Sequence, residues 1–343
     1  MQPRYTHWKI VPFFVMMLIL ILTNSSEAVI VFIATPTGQS DIYVMKDNGE
    51  DVRQLTKTLA SEFNPRLSPD RKYILFTRKL SPKSDIFIMD ADGSNERRLT
   101  HFRPNDTDPC WSPDGKQIAF TSTIDGVPNI HIMKLANRNI RQLTKSRDGE
   151  TSASMPSWSP DGQHIVHQQV IGFKTYIYIT DIDGKNTRPF LDGPQPNIID
   201  NVGISRHHPL WSPDGKHVMY FEDRIGLEAN RPVRLPSHLI VVNKDGRFPK
   251  KLDIPKDWLL HSACWAANGA KILFSAAEEG WEISINIHKL NFNIYRYRLL
   301  DGKITKITDS PTKDLYPHWV PGTLSVSPEG KLNVQWGEIK EKE

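Results

Sequence analysis

Two cysteines in 343 residues, Cys110 and Cys264, are too few for a disulfide framework, and no C-x-x-C pair offers a thiol metal site or redox motif. There is no G-x-S-x-G nucleophile elbow and no glycine-rich phosphate loop, so serine-hydrolase and P-loop chemistry lack their signatures. Charge of one sign is scarce as well. The net charge is +4 with the basic residues scattered, whereas nucleic-acid binding calls for lysine and arginine clustered on one face. Nucleic acid is therefore not an expected partner. The longest apolar run, Ile10 to Leu22, falls short of the about 20 residues that span a bilayer.

What that run does resemble is a targeting segment. Arg4 and Lys9 precede it, polar TNSSEA follows it, and Ser26 and Ala28 are small residues at the two specificity positions of a cleavage site. Residues 1–28 are expected to be a secretory signal peptide, and the protein to be exported, periplasmic or secreted. Left uncleaved, the segment would be a signal anchor, the one membrane attachment this sequence offers. Removing it with Arg4, Lys9 and Glu27 leaves a net charge of about +3.

Beyond it the chain repeats itself. PCWSPDGKQIAF from Pro109 returns as PSWSPDGQHIVH from Pro156 and PLWSPDGKHVMY from Pro209. In Ser-Pro-Asp-Gly, serine opens a type I turn, proline presets φ, and glycine accepts a positive φ, which makes a three-residue hairpin loop. The KQIAF that follows alternates polar and apolar, the mark of a half-buried strand. Each phrase has a sequel, a third strand ending in an Asp-Gly turn and a fourth opening near R-x-L-T, as in DIFIMDADG and RRLT at 85–100. Four strands per unit, repeated, predict an all-β propeller.

The aromatic-turn position falls at Leu67, Trp111, Trp158, Trp211, Trp265 and Trp319. Five units are complete. The sixth starts at Pro317 and lacks its later strands, while VIVFIAT, DIYVMKDNG and VRQLT at the N-terminal end lack a first strand. Together they predict a six-bladed β-propeller over 29–322, with one blade closed by N- and C-terminal strands and a tail at 323–343. A further Ser327-Pro-Glu-Gly330 turn lies in that tail. Cys110 and Cys264 each precede the repeat aromatic in the second and fifth units, on opposite sides of the ring. A disulfide needs Cα atoms within about 7 Å, so both are expected to stay free.

P-x-W-S-P-D-G followed by I-x-F and then I-x-x-M-D-x-D-G-x-x-x-R-x-L-T resembles the WD40-like PD40 repeat of the TolB-type propellers, over essentially all of 29–320. The resemblance implies the propeller fold and leaves function open. TolB-type proteins carry an α/β domain ahead of the propeller. Here about 28 residues precede the first strand, so a propeller without that domain is expected. Oligogalacturonate lyase, a seven-bladed propeller with similar repeats, uses a His-bound metal.

The short, near-constant turns belong to one face. Connections between blades, and between second and third strands, vary widely and belong to the other, with Glu222–Ser237 and Asp192–His208 the longest loops. Variable loops on a constant scaffold are where binding concentrates. Four positions before the repeat aromatic stand Phe63, Thr107, Ser154, His207, His261 and Leu315, and three before it Asn64, Asp108, Met155, His208, Ser262 and Tyr316. His207 and His261 thus share a slot on adjacent blades, with His208 and His318 nearby, and are candidate ligands for Zn²⁺ or Mn²⁺. The bland alternative is four half-exposed histidines bonded to loop carbonyls. Asp106, Asp108 and Asp314 are placed at the same rim, as carboxylates for a cation or as loop caps. Phe63, Trp258, Trp281 and Tyr316 are candidate anchors for a peptide or sugar ring, with packing between loops the alternative for the two tryptophans.

The expected function is a monomeric module binding a protein or peptide partner of the cell envelope through the variable face, without a cofactor and without catalysis. The competing expectation is a metal-assisted lyase or hydrolase acting on an acidic glycan at the histidine rim.

Overall fold

The computed structural model describes residues 28–322 apart from 37, 102–104, 147–150, 173, 192–202, 229–230 and 279–289. Its strands form six four-stranded antiparallel sheets. The first blade is β4 (Glu62–Leu67), β5 (Tyr73–Leu80), β6 (Lys83–Asp90) and β7 (Arg97–Arg98). The second is β8 (Asp106–Trp111), β9 (Gln117–Ser122), β10 (Asn129–Lys134) and β11 (Ile140–Gln142). The third is β12 (Thr151–Trp158), β13 (His164–Ile171), β14 (Lys174–Asp181) and β15 (Thr187–Pro189). The fourth is β16 (Gly203–Trp211), β17 (His217–Glu228), β18 (Arg231–Asn243) and β19 (Lys250–Lys251). The fifth is β20 (Leu259–Ala266), β21 (Lys271–Ala277), β22 (Asn293–Arg298) and β23 (Ile304–Lys306).

The sixth blade joins the two ends of the propeller: β24 (Leu315–Val320) pairs with β1 (Val29–Ala34), and β2 (Asp41–Lys46) and β3 (Arg53–Gln54) follow outward. Val29 pairs with Val320 and Ile33 with Leu315. All six residues of β1 are buried, so closure also seals apolar surface between neighbouring blades. The six-bladed architecture and its shared blade are as the repeat predicts.

The repeat phrase is a self-satisfied turn. Gly115 N–H returns to the Ser112 carbonyl at 2.9 Å, Ser112 Oγ donates to Asp114 Oδ1 at 2.6 Å, and Lys116 N–H reaches the same oxygen at 3.0 Å. The R-x-L-T segments are likewise structural. Thr56, Thr100, Thr144 and Thr308 each accept a main-chain N–H from the third strand of their own blade, at 2.8 to 3.0 Å.

The Glu222–Ser237 stretch is not a loop. β17 and β18 run through it as a hairpin paired as far as Glu228 opposite Arg231, with one irregularity between Glu222 and Arg224. Residues 192–202 lie outside the described set, and 203–208 belong to β16. Cys110 and Cys264 are both free.

Candidate functional site

The innermost strand of every blade breaks register once. In β4 the break lies between Phe63 and Arg66, in β8 between Thr107 and Cys110, in β12 between Ser154 and Ser157, and in β16 between His207 and Leu210. Such a bulge inserts one unpaired residue and re-aims the side chains around it. Asn64, Asp108, Met155, His208 and Tyr316 occupy it with φ between 50° and 55°. Each precedes a proline, whose ring disfavours the right-handed helical region for the residue before it. The fifth blade has Ser262-Ala263 instead. There the break falls at Leu260/Ser262, so that His261 is the residue the bulge inserts, and Ser262 has no positive φ.

These bulges build a funnel of about 1120 Å³, walled by residues that include Phe63, His207, His208, Asp223, His261 and Tyr316. Connections between strands complete it, from Thr35–Pro36, Leu290–Phe292 and Pro311–Lys313. The wall is rich in rings. His261 meets Tyr316 edge-on at 5.0 Å and Phe292 at 5.6 Å, and Phe63 meets Tyr316 at 6.4 Å. His207 stacks on Phe221 at 5.6 Å.

His207 and His208 engage each other. Their Nδ1 atoms lie 2.7 Å apart, so one ring donates and the other accepts. His207 Nε2 lies 3.2 Å from Asp223 Oδ2, and Ser237 Oγ donates to the other oxygen of Asp223 at 2.5 Å. Burial, reinforced by the neighbouring His207, His261 and Arg66, pushes the His208 pKa down to about 3, so its ring is neutral at physiological pH. Among the described residues no three His, Cys, Asp or Glu side chains are grouped so as to hold a metal ion, and His207 and His261 do not form such a group.

The other predicted rim residues are spread more deeply. His318 is an interblade tie within the channel: its Nδ1 accepts the Leu67 N–H at 3.2 Å, and burial lowers its pKa to about 3. Asp108 also sits below the funnel, accepting from Asn64 Nδ2 at 2.7 Å and from the hydroxyls of Thr107 and Thr121 at 2.9 and 3.3 Å.

Asp106 and Asp314 are wholly buried, beneath the rim and not on it. Asp314 lies among the hydroxyls of Thr308, Ser310 and Thr312, and burial raises its pKa to about 7. Asp106 lies near Thr100 and Ser122, and burial raises its pKa too. Glu62 holds the equivalent place in the first blade, accepting from Thr56 Oγ1 at 3.1 Å and pairing with Arg78 Nε at 2.8 Å. Glu62 thereby ties the first blade to Thr56 of the sixth. Trp258 packs against Tyr295 at 4.5 Å and Phe274 at 6.3 Å, the packing alternative. Trp281 lies outside the described residues.

Arg66, Asp223 and Phe292 are site residues that the slot comparison did not single out. Arg66 stands one position before the repeat aromatic, where Cys110, Ser157, Leu210, Cys264 and His318 stand in the other blades. Extending the slot comparison two residues would have shown a charge among mostly uncharged neighbours. Asp223 and Phe292 lie outside the slots altogether.

A family model described as the TolB beta propeller domain matches residues 64–266. No curated protein matches the chain. Among solved structures, TolB from Acinetobacter baumannii superposes with a TM-score of 0.66 at 17% identity, over 87% of this chain and 67% of its own. A chain designated TolB from Agrobacterium tumefaciens gives 0.60 at 17%, over 84% of this chain and 91% of its own. Hydrazine synthase from Kuenenia stuttgartiensis gives 0.66 at 18%, over 90% of this chain and 48% of its own. At these identities the likeness is one of fold, and the third comparison shows how widely that fold is shared. Among the described residues no helix is long and apolar enough to cross a membrane.

Proposed function

This chain belongs to the TolB β-propeller family, and on that premise we propose that it is an exported, monomeric binding module which takes a protein or peptide segment of the cell envelope into its axial funnel. The observation that carries the reading is the funnel's wall. Its volume of about 1120 Å³ lies just above the usual range for small-molecule pockets, about 300–1,000 Å³. Phe63, His261, Phe292 and Tyr316 line it with rings, and aromatic anchors in a recess are the usual energetic centre of a recognition surface. The basic and apolar character of residues 1–28 supports export.

The reading is tested by selecting binders from a displayed peptide library and measuring them against Phe63→Ala and His261→Ala. Selected peptides should bind either variant at least tenfold more weakly, with the melting temperature little changed. Leu300→Ala, on an exposed residue of the opposite, turn-bearing end, should bind as wild type does. Peptides indifferent to both funnel variants would overturn the proposal.

A further inference from the structure

Below the funnel lies a second, smaller space of about 50 Å³, walled by Asn64, Arg66, Asp108, Met155, His208 and Tyr316 among others. Met155, His208 and Tyr316 line both spaces, so the chamber adjoins the funnel at that level. A buried water needs about 10–15 Å³ of such volume. The chamber therefore has room for a few waters or for a carboxylate replacing them, and none for a sugar or aromatic ring.

Its chemistry is lopsided. Arg66 brings five N–H donors, and the single acceptor they meet among the described residues is the Pro65 carbonyl, 3.1 Å from Nη1. No carboxylate among the described residues lies within ion-pairing distance of it. Asp108 is the nearby acid, but its oxygens already accept from Asn64, Thr107 and Thr121. The other titratable groups facing the chamber are neutral. Burial holds the Cys110 thiol and the Tyr316 phenol up near 12 and the His208 imidazole down near 3. Tyr316 also lines the cavity, and no hydrogen bond of its hydroxyl is found among the described residues. A buried guanidinium is stabilised by a charged acceptor far more than by water, and its planar fork matches a carboxylate.

We propose that the chamber is a carboxylate-recognition site, in which Arg66 and the Tyr316 hydroxyl receive the carboxylate of an extended peptide lying in the funnel above. The proposal rests on the peptide-binding reading and adds its specificity: an acidic side chain or a free C-terminus leads the segment into the channel. The cavity's size admits a carboxylate and rejects bulkier ends, while the absence of a paired acid at Arg66 rejects a cationic one.

Sodium acetate is the first probe, titrated at constant ionic strength against acetamide, with binding followed by the NMR signals of Tyr316 and His208. Wild type should respond saturably to acetate and not to acetamide. Arg66→Gln should abolish the response, and Arg66→Lys and Tyr316→Phe should weaken it at least tenfold and severalfold respectively. If Arg66→Gln does not fold, the other two variants carry the comparison. A wild type that ignores acetate, or variants that respond as it does, would overturn the site. In a second arm, selected peptides are compared with a free and an amidated C-terminus and with acidic side chains replaced by their amides, which tells the two carboxylate sources apart. Peptides that need Phe63 but bind Arg66→Gln normally would sink the chamber and leave the funnel standing. Acetate bound at Arg66 by a protein that selects no peptides would do the reverse.

Discussion

Trp111 of the second blade donates its indole N–H to the main-chain carbonyl of Arg66 in the first, at 2.9 Å. Trp265 repeats the contact on Leu210, also at 2.9 Å. Trp158 and Trp211, at the same place in their units, keep buried indole nitrogens with no acceptor. The four rings fill equivalent positions, so their substitution by phenylalanine removes similar apolar contact but different hydrogen bonding. Trp111→Phe should cost about 1 kcal/mol more than Trp158→Phe, the net worth of one buried hydrogen bond. Urea unfolding of the two variants measures the difference, and equal losses would mean that the indole bond contributes nothing.

Asp314 gives the fold a definite pH response. Its folded pKa of about 7 lies above the ordinary 3.8, so between those values the native state holds a proton that the unfolded chain has released. The associated stability is full below about pH 4 and is lost as pH rises through 7. Asp314→Asn, which stays uncharged, should melt a few degrees higher than wild type at pH 8 and lose that advantage toward pH 4. A variant less stable than wild type at pH 8 would show that the surrounding hydroxyls stabilise the carboxylate and that its pKa is not raised.

The two thiols should be present and inert. Burial pushes both Cys110 and Cys264 up to about 12, leaving almost no thiolate at neutral pH. A maleimide should label neither in the native protein and both after denaturation. Fast labelling of the folded chain would contradict these raised values, and a failure to label the unfolded monomer would reveal a disulfide.

Dialysis against Zn²⁺ or Mn²⁺ followed by metal analysis should find no stoichiometric ion, since His207 Nδ1 is engaged with His208 and no group of three metal-ligating side chains forms among the described residues. Metal that stays bound in wild type and disappears from both His207→Ala and His261→Ala would restore the lyase reading.

Processing after Ala28 should leave a chain beginning at Val29, the first residue of the closing strand. The intact mass of the exported protein decides this. Retention of residues 1–28 would make the protein membrane-anchored.

The blade count and the shared sixth blade were legible because turn chemistry and strand alternation are local, and the repeat copies both around the ring. The funnel slots were legible in part. His207, His261, Phe63 and Tyr316 converge as the register predicts, but Asp106 and Asp314 do not join them. The bulge explains this: one inserted residue swaps the side on which everything upstream points, so the acid five places before the aromatic is turned between blades. The hairpin in EDRIGLEANRPVRLPS was hidden by Gly226, Pro232 and Pro236, which read locally as breakers. Its pairing comes from register inherited from the blade below. Arg66 was passed over because an arginine beside a repeat aromatic looks like a surface charge until the ring closes around it.

A ring of six similar blades offers anything arriving along its axis six nearly equivalent headings. The β17–β18 hairpin abolishes that equivalence. β17 has twelve residues against six in β9, an excess of about 20 Å of strand at 3.3 Å per residue, and Asp223 within it is also part of the funnel wall. The funnel is therefore unequal around its axis, with its longest strands at the fourth blade.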